Sequence, residues 1–173
     1  MFGVFTADTA FLLLINMNIK LLAIGKTDDK NLQALLNEYI KRLTFYVKFD
    51  LEVIPDVKNA KNMSIDQQKE KEGDLLLAKI GSGDWVLLLD EKGKKYTSLQ
   101  FADYLQKRMN SGIKNLIFVI GGPYGFSPEV YARANGKISL SDMTFSHQMV
   151  RLFFVEQLYR GYTILRNEPY HHE

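Results

Sequence analysis

The chain has 173 residues, 46% of them apolar and 24% charged, with a formal net charge of +2; this is the length and composition of a single globular domain and excludes a disordered or collagen-like chain. It contains no cysteine, which excludes disulfides, a thiolate nucleophile and a Cys-ligated zinc site. A total charge near zero neither requires nor excludes a nucleic-acid partner, because a local basic patch suffices for one.

Residues 1–16 carry no Lys or Arg and one Asp. The apolar run Ala10–Ile15 is too short to span a bilayer, and no basic segment precedes it, so neither a membrane span nor a signal peptide is expected. Met17 is expected to be the natural start, with 1–16 an upstream extension and 17–173 a single domain; an added N-terminal strand is the plain alternative. The expected location is cytoplasmic.

Ile19–Ile24 is a short apolar run ending at Gly25 and predicts a buried strand. Leu32, Leu35, Leu36, Tyr39, Ile40 and Leu43 recur with the spacing of one helix face. Phe49, Leu51 and Val53 alternate with polar residues until Pro55, as in a strand with one half-exposed face. Residues 56–63 are polar and read as a mobile loop. Ser64 with Gln67 forms a capping-box pattern that opens a helix to about Ile80. Trp85–Leu89, bounded by Asp90-Glu91, predicts a strand buried on both faces.

Thr97 with Gln100 repeats the capping box and opens a helix ending near Gly112. Leu116–Ile120 predicts another central strand, running directly into Gly121-Gly122-Pro123. Ser127-Pro128-Glu129 is a helix start, with a cap, a first-turn proline and an acid at the positive end. Ile138–Leu140 predicts a short strand. Ser146 opens a last helix to about Leu165, apolar nearly all round and so covered on more than one side, for which a partner subunit is a natural cover. The alternation of strands and helices predicts an α/β fold with a mostly parallel sheet flanked by helices.

Three places carry chemistry. Gly121-Gly122 follows the carboxyl end of a buried strand, where α/β sheets bind ligands. The pattern is neither GxGxxG nor GxxxxGK[ST], and alone it serves as a plain tight turn as readily as a cofactor loop. The loop Leu140-Ser141-Asp142-Met143-Thr144-Phe145 fits around a nucleoside, although an ordinary loop leading to a cap at Ser146 accounts for the pattern slightly better. Near the chain's end, Arg160, Arg166, Tyr170, His171 and His172 gather, while Glu156 and Arg160 have the spacing of an ordinary intrahelical pair. The two histidines lack the spacing and the third ligand of a metal site, so no metal is expected. Lys58, Lys61, Lys92, Lys94, Lys95 and Arg166 are candidate phosphate contacts and equally candidates for a solvated face.

Taken together, several collinear stretches from Met17 onward resemble one family. These are Leu22–Lys26, Glu70–Gly73, Leu88–Gly93, Phe118–Gly125, Leu140–Arg151, Glu156–Arg160 and Tyr170-His171. Over about 157 positions the chain resembles the bacterial ribosomal RNA large subunit methyltransferase H family, of the SPOUT superfamily. The resemblance implies a homodimer with a deep trefoil knot in its C-terminal half. It also implies methylation of N3 of a pseudouridine in large-subunit ribosomal RNA on assembled ribosomes, with S-adenosylmethionine as donor. Carried onto this chain, it implies cofactor contacts at Leu89, Gly121 and Leu140, Ser141, Asp142, Met143, Thr144 and Phe145, and active-site groups at Glu156, Arg160, Tyr170 and His171. The lack of cysteine agrees with a nitrogen or oxygen acceptor, since methylation of a pyrimidine carbon usually needs covalent activation by a thiolate. The rival expectations are another SPOUT RNA methyltransferase, such as a ribose 2′-O enzyme, and a non-catalytic ribosome-binding factor.

Overall fold

The computed structural model describes residues 17–172; the expectations for residues 1–16 and for Glu173 lie outside the described residues. Five parallel strands form one sheet, β1 (Asn18–Ile24), β2 (Lys48–Ile54), β3 (Trp85–Lys95), β4 (Asn115–Ile120) and β5 (Gly136–Ser139), in the spatial order β2-β1-β4-β3-β5. The helices are α1 (Lys30–Leu43), α2 (Ile65–Leu77), α3 (Ser98–Asn110), α4 (Pro128–Arg133) and α5 (His147–Leu165).

Apart from Lys20 of β1, which pairs with Glu52 of β2 (3.0 Å), the cores of β1 and β4 are apolar because both faces are covered. Along β1, Ile19, Leu21 and Ala23 face one cluster while Leu22 and Ile24 face another; along β4, Leu116, Phe118 and Ile120 separate in the same way from Ile117 and Val119. The first cluster is closed by Leu36 and Leu43 of α1, Phe101 and Leu105 of α3, and Phe154, Val155 and Leu158 of α5, with the Phe118 and Phe154 rings 4.5 Å apart. The second is closed by Leu76 of α2 and Val130 of α4. Each such fully buried side chain contributes about 1.5–3 kcal/mol relative to exposure.

The helix starts follow from side-chain caps that satisfy otherwise orphaned N–H groups. Both expected capping boxes form, Ser64 with Gln67 and Thr97 with Gln100, and Ser127 and Ser146 accept from Val130 N and Met149 N. Asp29 caps α1, accepting from Asn31 N and Leu32 N.

Four boundaries differ from expectation. Helix α2 ends at Leu77 and not near Ile80, because Lys79 and Ile80 donate to carbonyls three residues back, tightening the last turn. Residues 56–63 contain a short 3-10 turn, Ala60–Asn62. Strand β5 spans Gly136–Ser139, leaving Leu140 in the following loop. Strand β3 runs past Leu89 to Lys95: the chain leaves the ladder with β5 after Leu89 and rejoins it where Lys94 and Lys95 pair with Ile138 and Ser139. Gly93 permits the return, since a Cβ there would collide with the backbone of Ile138 and Ser139.

Candidate functional site

The carboxyl ends of β3, β4 and β5 open onto one cleft. Its larger part, about 760 Å³, is lined by Leu89–Lys92, the turn Gly121–Gly125, Phe126, Tyr131, Phe145–His147, Val150 and Lys69. A smaller part, about 160 Å³, is lined by Ser139–Phe145 and shares Leu89, Asp90, Glu91, Phe145 and Val150 with the first. Leu89, Gly121 and Leu140–Phe145, far apart in the chain, therefore meet around a single space.

Each wall has a local cause. At the glycine turn the chain folds back through Gly125 N–H donating to Gly122 O (3.2 Å), with Gly125 at φ +81°. A Cβ at Gly121 would sit tightly against the Phe126 ring and Gly125 O, and one at Gly122 would overlap the carboxylate of Glu72, so Gly122 has no room for a Cβ unless Glu72 moves. At the excursion within β3, Asp90 Oδ1 accepts from Lys92 N (2.7 Å) and Oδ2 from the Tyr131 hydroxyl (2.5 Å). Burial first, and then the bond to Asp90, push the Tyr131 hydroxyl up to about 12, so it stays a donor. In the third wall, Ser139 Oγ donates to Ser141 O (3.0 Å), Met143 N donates to Ser141 Oγ (2.9 Å), and Lys95 pairs with Asp142. Met143 is 75% exposed, and Phe145 stacks on Phe153 of α5 at 4.8 Å.

Glu156, Arg160, Tyr170 and His171 form a second, polar cluster on α5 and the tail. Arg160 donates to Glu156 Oε1 from Nη2 (2.6 Å) and Nε (3.1 Å). The Tyr170 hydroxyl donates to the same oxygen (2.9 Å), and Gln157 donates to Oε2 (2.8 Å). Arg160 Nη1 lies 3.4 Å from His171 Nδ1, and its guanidinium covers the Tyr170 ring at 4.7 Å. Burial, followed by bonds to Tyr39 and Glu156, pushes the Tyr170 hydroxyl well above the ordinary tyrosine range. None of these four lines the cleft of the same chain. A helical stripe joins the two regions: Met149 and Phe153, both exposed, precede Glu156 and Arg160 along one side of α5.

Of the candidate phosphate contacts, Lys58, Lys61, Lys92, Lys94 and Lys95 are exposed, whereas Arg166 packs over the Tyr46 ring and lies 3.9 Å from Glu168. Residue patterns alone missed Asp90, Tyr131, Arg151 and Glu72. Arg151 is fully buried and donates to Thr27 Oγ1 (2.9 Å) and Ile24 O (2.7 Å), tying α5 to the end of β1. Its signal was a lone charge inside the apolar run of α5. Among the described residues no helix is long and apolar enough to cross a membrane.

A family model described as a predicted SPOUT methyltransferase matches residues 17–171. The chain is 68% identical over 157 residues to a protein of Flavobacterium johnsoniae, and 70% identical over the same length to one of Flavobacterium psychrophilum. Both relatives are named ribosomal RNA large subunit methyltransferase H, and each match covers 91% of this chain and 100% of the relative. A protein of Bacteroides thetaiotaomicron with the same name is 56% identical over 157 residues. The chain belongs to the SPOUT methyltransferase family.

Proposed function

We propose that this protein methylates N3 of a pseudouridine in large-subunit ribosomal RNA, on the assembled ribosome in the cytoplasm, with S-adenosylmethionine as donor. The observation that carries this reading is the convergence of Leu89, Gly121 and Leu140–Phe145 on one cleft. The cleft fits an adenosyl ligand: apolar side chains of Leu89, Leu140, Phe145 and Val150 flank backbone groups of two loops, and the walls at Gly121 and Gly122 have been pared to bare backbone. Leu89, Gly121 and Leu140–Phe145 hold the ligand. S-adenosylmethionine supplies an electrophilic methyl carbon, its sulfur keeping the bonding electron pair.

The remaining work falls to the polar cluster. The N3 imide must lose its proton to become a nucleophile, and a positioned base contributes on the order of 10²–10⁴-fold. Both oxygens of Glu156 are already occupied, Oε1 by Arg160 and Tyr170 and Oε2 by Gln157, so Glu156 organises the cluster and His171 accepts the proton. Arg160 stabilises the negative charge that spreads to the flanking carbonyl oxygens. The Tyr170 hydroxyl, held in its protonated form, fixes the tail against α5.

The protein acts as a homodimer with a knotted C-terminal half. The exposed apolar side chains of Met149, Phe153 and Phe145, side by side on the stripe between the polar cluster and the cleft, support the dimer. The chain's return from edge strand β5 across the strand ends to α5, packed with α1 and α3 in one cluster, supports the knot. The test is incubation with S-adenosylmethionine and intact ribosomes from a strain lacking the gene, followed by mass mapping. A single N3-methylated pseudouridine is expected. A methylated ribose would overturn the assigned acceptor, and no methylation would overturn the activity.

A further inference from the structure

Glu72 of α2 is 3% exposed. Its Oε1 accepts from Gln68 Nε2 (2.8 Å), while Oε2 has no hydrogen-bond partner among the described residues. The carboxylate lies directly behind Gly122, where a Cβ would overlap both of its oxygens. Gly122 in turn lines the cleft, so only one thickness of glycine backbone separates this carboxylate from the cleft. Adjacent Gly73 is packed just as closely against Ser127, which holds the acid in place.

Among the described residues no Lys, Arg or His forms an ion pair with this carboxylate. Lys69, one turn earlier on α2, lies 3.9 Å from Asp66. Asp56, in the connection after β2, adds negative charge beside Glu72, and the Arg151 guanidinium on α5 faces Asp56 and Asp28. The connection from β4 to α4 offers Gly122 and Ser127, neither charged. Asp90 and Glu91 also line the cleft, but Asp90 already accepts two hydrogen bonds and Glu91 is exposed, where solvent screens it. An uncompensated buried carboxylate is costly unless a positive charge arrives or the group takes up a proton.

We infer that Glu72 is a counter-ion for a cationic ligand of the cleft, and that it makes the cleft prefer the sulfonium donor over its uncharged thioether product. This rests on the methyltransferase reading above. The donor carries one more positive charge than S-adenosylhomocysteine, and Glu72 faces that charge across Gly122. When the methyl group leaves and sulfur becomes neutral, Glu72 loses its partner and product release is favoured. Burial, reinforced by Asp56, holds the Glu72 carboxyl above the usual carboxylate range. An arriving cation lowers it again, so donor binding releases a proton between the two values, and preference for the donor grows as pH rises through that window.

The test is calorimetric titration of the full chain with S-adenosylmethionine and with S-adenosylhomocysteine. Two buffers of different ionisation enthalpy are used, at a pH acid enough to keep the ligands' own ammonium groups protonated. Proton release with the donor and little with the product is expected in the wild type. Glu72→Gln should abolish the difference in proton release and shrink the donor-to-product affinity ratio by on the order of tenfold, the effect of one partly screened charge pair. His147 also lines the cleft, so the variant and not the pH profile identifies the group. Equal proton release with both ligands in the wild type overturns the inference without any variant. So does an unchanged affinity ratio in Glu72→Gln, or an equal loss of both affinities, which would mark a purely structural role. If the wild type binds neither ligand, the cofactor reading itself fails.

Discussion

Glu72 and Gly122 occupy one another's space, and each makes a prediction about the other. Because the folded protein holds the Glu72 carboxyl above its unfolded value, its contribution favours folding at acid pH and is lost as pH rises through the folded-state value. Glu72→Gln should therefore raise the melting temperature at neutral pH, and the gain should vanish on acidification; thermal denaturation across pH measures this. Gly122→Ala drives a methyl group into the carboxylate. It should cost about 1–3 kcal/mol of stability and most cofactor affinity, and trimming Glu72 to alanine in that background should restore part of both. At the other cluster, His171→Ala should keep cofactor affinity by calorimetry while turnover on ribosomes falls about 10²-fold or more. Turnover unchanged in that variant would remove the tail from the chemistry.

Helix α5 carries two surfaces. One, with Phe154, Val155, Leu158 and Tyr162, is buried against the sheet; the other exposes Met149 and Phe153 before reaching Glu156 and Arg160. With the proposed dimer seated on this second surface, Phe153→Ser should weaken self-association at least tenfold by analytical ultracentrifugation, and lower monomer stability by no more than the lost pairing with Phe145, about 0.5–1.5 kcal/mol. The elements themselves were legible in the residues wherever the cause was local. Strand β4 showed as an uninterrupted apolar run and β1 as one broken only by Lys20, and α2 and α3 opened where Ser64-Gln67 and Thr97-Gln100 foretold. The extension of β3 to Lys95 was hidden, because the excursion at residues 90–93 depends on how Gly93 meets β5. The cleft followed the same division. The glycine turn and the loop from Leu140 stood out by composition. Glu72 entered only within the stretch Glu70–Gly73, and its charged neighbours Glu70 and Lys71 gave no local sign that its carboxylate is buried behind Gly122. Tyr39 fitted the apolar stripe of α1, and nothing local announced that its hydroxyl meets that of Tyr170 at 3.2 Å.

At the scale of the whole molecule, exposed Lys92 lines the cleft on the excursion of β3, where a charged polymer entering the cleft would pass, and exposed Lys94 follows it where the strand rejoins β5. If both touch RNA phosphates, replacing them with glutamine should weaken ribosome binding and make its logarithmic salt dependence shallower by roughly 1.5–2; an unchanged slope would leave them as ordinary solvated surface. The order of the sheet has a consequence for the chain's birth. Strand β1 pairs with β4 from Asn18 opposite Asn115, so the innermost seam joins residues almost a hundred positions apart in the chain. While it is being synthesised, the emerging β1-α1-β2 unit has no neighbour to cover its inner edge until β4 follows, and the wall of the cleft formed by α5 comes last. Parallel, non-local pairing of this kind is slow and leaves apolar edges open to wrong partners. The cleft is therefore complete only after β4, β5 and the first turn of α5 have all been made.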